Sequence, residues 1–530
     1  MARKQLAYYL QNLGHDIPAG IVVFLVALPL CLGVALASGA PLFSGLVAGI
    51  VGGLVVSWLS GSQLSVSGPA AGLTVIVLHG IEQVGGFEAF LVAVVLAGVL
   101  QLMLGFLRAG VISAYFPSAV IRGMLTAIGL ILIMKQLPHA VGYGVDLIVD
   151  ETYAPETPSG AFFEIGDALE AISPGAAIVT TVAIFIMLIW EKPIFKTNRV
   201  LGQIPGPLIA VLWGVMFSMF SEGTPLEIAG QHLVSLPEHG SIGHLIGNLV
   251  APDFTQLGNW QIYILAATIA IIASLETLLS LEAIDKLDPY RRVAPTNQEL
   301  KAQGLGNILS GLLGGLPITS VIVRSSANVN AGGRTKVASF VHGLMLLLSI
   351  LFLVEWLNYI PLSALAAILL ITGYKLAKPA IFLDMYRRGR DQFLPFAITV
   401  IAILATDLLK GIAIGIVIGL FFVMKANFHA AIALTRDGNH YLLRFRKDVS
   451  FLNKPLLREL LDQVEPDGHV IIDGTRADFI DQDILGSVRD YLIAAEESRI
   501  TVHLRNVAGA SGTGRELLES GALGVAATSH

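Results

Sequence analysis

Apolar runs of roughly 20 residues, the length that crosses a bilayer as a helix, recur between short polar turns from residue 17 to residue 429. The pattern predicts fourteen segments at 17–38, 43–60, 64–81, 87–107, 112–134, 172–190, 203–221, 261–283, 302–314, 318–331, 337–355, 360–374, 394–408 and 410–429. Backbone in hydrocarbon must satisfy its own hydrogen bonds, so each is read as a helix. Two are short and interrupted. Near 64–81 the chain reads Ser67-Gly68-Pro69-Ala70-Ala71-Gly72, and near 318–331 it reads Pro317-Ile318-Thr319-Ser320 before Arg324. Each enters as a polar, strand-like piece and turns into a helix. They are the third segments of two halves of seven and run in opposite directions, the pattern that points to the binding site of an inverted-repeat transporter.

After Phe428 the periodicity changes. Residues 441–446 alternate, a helical pattern follows near 453–464, and His469–Asp473 reads as a buried strand. A helix near 482–497 and a strand at Ile500–Leu504 complete a small α/β domain. The expected division is a transmembrane domain at 1–432 and a cytoplasmic domain at 433–530, with the residues after about 522 disordered.

Composition sharpens this picture. Of the 530 residues 54% are hydrophobic and 14% charged, against roughly 25% charged in soluble domains. The chain is therefore read as a multi-pass protein in a lipid membrane, of bacterial inner-membrane type. The first run, Ile17–Ala37, is longer than the h-region of a signal peptide, about 7–15 residues, and is read as a retained helix. With the N-terminus cytoplasmic, the inside loops collect the basic residues: Arg108; Lys192, Lys196 and Arg199; Lys286, Arg291 and Arg292; Arg334 and Lys336; and Lys375 to Arg390. The outside loops are acidic, with Asp146, Asp150, Glu151, Glu156, Glu222 and Glu227. Cys31 is the one cysteine, which excludes an intramolecular disulfide. With no P-loop, H-E-x-x-H or G-x-G-x-x-G before a helix, neither nucleotide hydrolysis nor metalloenzyme chemistry is suggested, and the chain is expected to be neither an enzyme nor a partner of nucleic acid.

The interrupted segments carry the candidate chemistry. Two half-helices starting near mid-membrane would aim free N–H groups at one cavity, each end worth roughly half a positive charge. The expected donors are the backbones of Ala70, Ala71 and Gly72 at one end and of Val321, Ile322 and Val323 at the other. Ser67, Thr319 and Ser320 would add hydroxyls, and Arg324 an electrostatic bias. An ionisable group inside a membrane helix is a functional candidate, which singles out Glu276, with Ser280 one turn on. Either Glu276 takes a proton, or Glu276 and Ser280 hold Na+ through hard oxygens; a structural alternative is that Arg324 merely neutralises Glu276.

These residues resemble the SulP inorganic anion transporter family. The resemblance runs from Asp16-Ile17-Pro18 and Ala27-Leu28-Pro29 through Ser67-Gly68-Pro69 and Pro317–Ser325 to a tail similar to a STAS domain, with Val470–Asp473 as its central strand. It implies an α-helical polytopic fold of 14 segments in a 7+7 inverted repeat, core and gate domains moving as an elevator, and a homodimer. It also implies transport of a small inorganic anion; the expected substrate is bicarbonate, carried by Na+ or H+ symport. Members of the bicarbonate-transporting branch hold sodium with an acidic residue and a hydroxyl at the spacing of Glu276 and Ser280. No cofactor is expected apart from Na+ as the coupling ion. The alternatives are proton-coupled sulfate or dicarboxylate transport, an uncoupled anion channel, and a membrane sensor. The chain departs from the family pattern at Leu30, Ala70 and Val323, which leaves the site poor in side-chain donors and favours a small monovalent oxyanion. The tail has Asp481-Gln482-Asp483 where signalling relatives carry a phosphorylated serine two residues after an aspartate.

Overall fold

The computed structural model describes residues 2–111, 117–142, 172–192, 195, 204–237, 247, 249–406, 408–429, 431–507 and 510–513. The acidic loop residues Asp146, Asp150, Glu151 and Glu156, the basic Lys196 and Arg199, and the tail after 522 lie outside the described residues. The chain divides into two compact units, Met1–Gly415 and Ile416–His530.

The first half of the larger unit begins with α1 (Ala2–Ala37) and α2 (Leu42–Leu59). One π turn, Gly52–Val56, interrupts α2 where its glycines let β1 approach. The chain then runs through a strand of three residues, β1 (Ser67–Pro69), a 3-10 turn at Ala71–Leu73, and α3 (Thr74–Val84). Four helices follow: α4 (Phe87–Phe106), α5 (Ser118–Ala140), α6 (Pro174–Trp190) and α7 (Gly206–Ser221).

The second half repeats the plan with α8 (Trp260–Leu287), α9 (Thr296–Leu312), β2 (Ile318–Ser320) and α10 (Ile322–Asn330). It continues with α11 (Val337–Phe352), α12 (Leu362–Leu376), α13 (Pro379–Arg387) and α14 (Arg390–Ala405), and the unit boundary at Gly415 falls within the next helix, α15 (Leu408–His429). Among the described residues six helices are long and apolar enough to cross a membrane and five more are shorter apolar helices. The protein is a multi-pass membrane protein.

Several elements depart from the sequence pattern, among them α1, which starts at Ala2 and not at 17, and α5, which ends at Ala140 and not at 134. Helix α9 starts at Thr296, six residues before the expected 302, because its first turns are polar yet packed inside the protein. Helix α13 falls in what reads as a basic loop. It is held by Asp384, which accepts from Arg122 of α5 at 2.7 Å and from Arg388 at 3.0 Å.

In the smaller unit five strands lie in the order β3 (Ile432–Asp437), β4 (His440–Phe445), β5 (His469–Asp473), β6 (Thr501–Val507) and β7 (Ala510–Thr513). The inner pairs β4–β5 and β5–β6 are parallel and the outer pairs antiparallel. Tyr441, Leu443, Val470, Ile472, Val502 and Leu504 alternate toward α16 (Lys454–Leu461) and α17 (Gln482–Glu497) and form one core with them. The Asp481 carboxylate caps α17 by accepting from Asp483 N–H at 3.0 Å. Hydrogen bonds from Thr475, together with Arg444, hold the Asp473 carboxyl below the usual carboxylate range. A parallel-cored sheet with its helices on one face is the arrangement expected of a STAS domain.

Candidate anion site

Strands β1 and β2 cannot build a sheet of useful size, since each has three residues, with Pro69 ending the first and Pro317 preceding the second. They pair with one another instead, antiparallel, with Ser67 opposite Ser320, Gly68 opposite Thr319 and Pro69 opposite Ile318. Val321 N–H extends the ladder to the Val66 carbonyl at 2.9 Å, and Val66 N–H reaches the Ser325 hydroxyl at 2.9 Å. Asn328 donates to the Leu64 carbonyl at 3.0 Å. The two interrupted segments, 250 residues apart in sequence, thus meet in one ribbon from which two short helices diverge.

The helix starts leave donors open. In the first arm Leu73 N–H bonds back to Ala70 and the Thr74 hydroxyl to Ala71, which closes the 3-10 turn. The N–H groups of Ala71 and Gly72 precede the first intrahelical bonds and have no partner within the turn. In the second arm Ser325 N–H is the first to bond back, to Val321 at 3.0 Å. The N–H groups of Ile322, Val323 and Arg324 are therefore the open ones. Of the expected donors, Ala71, Gly72, Ile322 and Val323 sit at these positions, whereas the Val321 N–H is taken by the ribbon.

The side-chain hydroxyls have other work. Ser320 Oγ lies 2.6 Å from Ser65 Oγ, Ser67 Oγ accepts from Gln303 at 2.7 Å, and Thr319 is fully buried with its hydroxyl directed at a neighbouring carbonyl. Ser320 thus ties the two arms to one another and Ser67 ties β1 to α9, while Thr319 bonds only within its own strand. Thr277 of α8, which the sequence pattern does not single out, accepts from Ser320 N–H at 3.2 Å and ties that helix to β2.

Arg324 is the largest side chain of the fully buried set, at 1% exposure. Its Nη2 donates to the Pro69 carbonyl at 3.1 Å, while Nε and Nη1 have no hydrogen-bond partner among the described residues. Room for the guanidinium exists because residue 68 is glycine: a Cβ there would overlap Nη1. Arg324 and Glu276 form no ion pair among the described residues, so neutralisation of one by the other is not what buries them.

Glu276 projects from α8 to the start of the first arm. Its carboxylate lies where a Cβ on Gly72 would stand, with Oε1 at 2.6 Å and Oε2 at 2.8 Å from that position. Oε2 is buried and has no hydrogen-bond partner among the described residues. Ser280 is buried one turn further along the same helix. A carboxylate with an orphaned oxygen suits a proton or a hard cation, and Glu276 and Ser280 are the residues that could hold one.

Comparison with known proteins gives the chain's family and fold. The Sulfate permease family model matches residues 13–399. The chain is 27% identical over 466 residues to the putative sulfate transporter YvdB of Bacillus subtilis, covering 86% of this chain and 83% of the relative. It is also 27% identical over 430 residues to the bicarbonate transporter BicA of Picosynechococcus, covering 78% of this chain and 70% of that one. In fold it is similar to SLC26A9, with a TM-score of 0.76 at 17% identity over 97% of this chain and 87% of the other. A match across the ribbon, both arms and most of the helical unit places the chain in the sulfate permease family.

Proposed function

We propose that the protein is a secondary active transporter of a small inorganic anion, with bicarbonate as the favoured substrate and Na+ or H+ as the symported cation. The observation that carries this reading is the Glu276 carboxylate lying against Gly72, at the start of a helix whose N–H groups are open. An ionised carboxylate there occupies the electropositive end that an anion would use and repels the anion. A bound Na+, or a proton, removes that repulsion. Cation and anion then enter together, which is the electrostatic content of symport.

The two helix ends supply roughly half a positive charge each, about one charge in all, which matches a monovalent oxyanion. With Ser67, Thr319 and Ser320 turned to the scaffold, the anion is held by N–H groups, as in other helix-terminus sites. Arg324 acts through its field. Elevator motion of a core against a gate, a homodimer, and a bacterial inner membrane with the N-terminus and α/β unit cytoplasmic belong to the same proposal.

A second reading, proton-coupled uptake of divalent sulfate or a dicarboxylate, is favoured by one observation: the two unpartnered nitrogens of Arg324 are free to serve as direct donors to a divalent anion, beyond the field they exert in the first reading. Uptake of radiolabelled bicarbonate and sulfate into proteoliposomes, with sodium and pH gradients imposed separately, decides between them. Concentrative bicarbonate uptake driven by sodium supports the first reading; sulfate uptake driven by a proton gradient replaces it with the second. Absence of accumulation under every gradient rejects both.

A further inference from the structure

The ribbon is gripped from behind by one face of α9. Glu299, Gln303 and Asn307 recur every fourth residue and Ser310 follows three later, so all four lie along one stripe of the helix. All four are fully buried. In an apolar setting such groups are costly unless paired, and each has a particular partner, although Gln303 Oε1 has none among the described residues. Asn307 acts as a substitute strand: its Oδ1 accepts from Ile318 N–H at 2.5 Å and its Nδ2 donates to the Ile318 carbonyl at 3.1 Å. Gln303 Nε2 donates to Ser67 of the other strand at 2.7 Å and to Glu299 at 2.9 Å. The Ser60 hydroxyl closes that end on Glu299, and Ser310 donates to the Leu316 carbonyl at 2.6 Å. A side branch runs from Asn307 through Gln101 of α4, at 2.6 Å, to Ser274 of α8, at 3.2 Å.

We propose that Gln303 and Asn307 are positioning residues for the anion. They fix β1 and β2 against one rigid helix, and thereby set the separation and aim of the two arms' open N–H groups without touching the anion. Ser67 and Ile318 are the two gripped points, one on each strand, and the 3-10 turn that leads into α3 at Ala71 and α10 at Ile322 each begin four residues on. A site made of backbone donors has no flexible side chain to take up a misplacement, and an error of about 1 Å in such a site can cost up to 10²-fold. The polar stripe thus does for this site what an outer hydrogen-bond shell does for a metal ligand. The proposal rests on the anion lying between the two arms.

The test is the initial rate of radiolabelled bicarbonate and sulfate uptake by the purified full chain in proteoliposomes, measured across anion concentrations. The variants are Asn307→Asp, which keeps acceptance from Ile318 N–H and loses donation to its carbonyl, and the milder Gln303→Met. The expected result is a half-saturation concentration raised about tenfold, with the rate at saturating anion within about threefold of the parent. Ser349→Ala, which removes a buried hydroxyl bonded only within its own helix, should leave both unchanged. An unchanged half-saturation in Gln303→Met, or a fall in maximal rate alone, overturns the proposal. Arg324→Ala run alongside separates the two levels. If it shifts half-saturation and Gln303→Met does not, the positioning role fails and the site stands; if neither shifts it, the site itself fails.

Discussion

The two arms of the ribbon have the same design and opposite electrostatics. Each is a strand of three residues followed by a short helix, and each is the third segment of its half. The first arm's helix start faces a carboxylate carried by another element, Glu276 of α8. The second arm carries its own cation, Arg324, which crosses the ribbon to the Pro69 carbonyl of the first. On the proposed reading, the repeated design supplies the anion's place, with one helix start from each arm beside the shared ribbon. The departure from symmetry would supply control in the proposed mechanism, since among the described residues Glu276, the group a cation or proton would neutralise, lies against the first arm's helix start. A transporter needs both: a place for the anion, and a reason for it to enter only with its partner.

Arg324→Ala breaks the comparison most directly. It removes the second arm's charge while leaving both helix ends, and the half-saturation concentration for anion uptake should rise ten- to a hundredfold, a loss of about 1.4–2.8 kcal/mol. Arg324→Lys keeps the charge but has no fork to hold Pro69, so a rise of severalfold is expected in the same assay. Gly72→Ala sharpens the other side. The added Cβ meets the movable end of Glu276 and not backbone. The protein should fold, with uptake retained but its dependence on the cation gradient reduced. Removing the Ser65 hydroxyl in Ser65→Ala takes one bond from the ribbon and leaves Ser320 short of a partner. A loss of about 1 kcal/mol is expected in denaturant unfolding, with little change in uptake.

Much of this was legible in the sequence, for identifiable reasons. The interrupted segments stand out because Gly, Pro and Ser are conspicuous in an apolar background, and their matching places in two halves point to a shared cavity. Glu276 is legible because a carboxylate inside an apolar helix is rare. The α/β unit shows itself by alternation at Tyr441–Phe445 and by the continuous run at His469–Asp473.

What was hidden is pairing. Hydroxyls such as Ser67 and Ser320 read as ligands from their position, and the fold uses them as struts. Nothing in the local sequence says that Val321 N–H closes the ladder on Val66, 255 residues away. The first turns of α9 fall outside the expected segment because Thr296, Asn297, Gln298 and Glu299 are polar, although the spacing of Glu299 with Gln303 and Asn307 is helical. Helix α13 was hidden by its charges, whose partner Arg122 lies on α5.

The most direct test of symport at Glu276 compares the parent chain with Glu276→Gln in proteoliposomes, following bicarbonate accumulation under an inward sodium gradient and, separately, an inward proton gradient. The account predicts that the parent concentrates the anion under one of these gradients, and that Glu276→Gln binds the anion but only equilibrates it, whatever the gradient. Gradient-driven accumulation by Glu276→Gln equal to the parent's would contradict it.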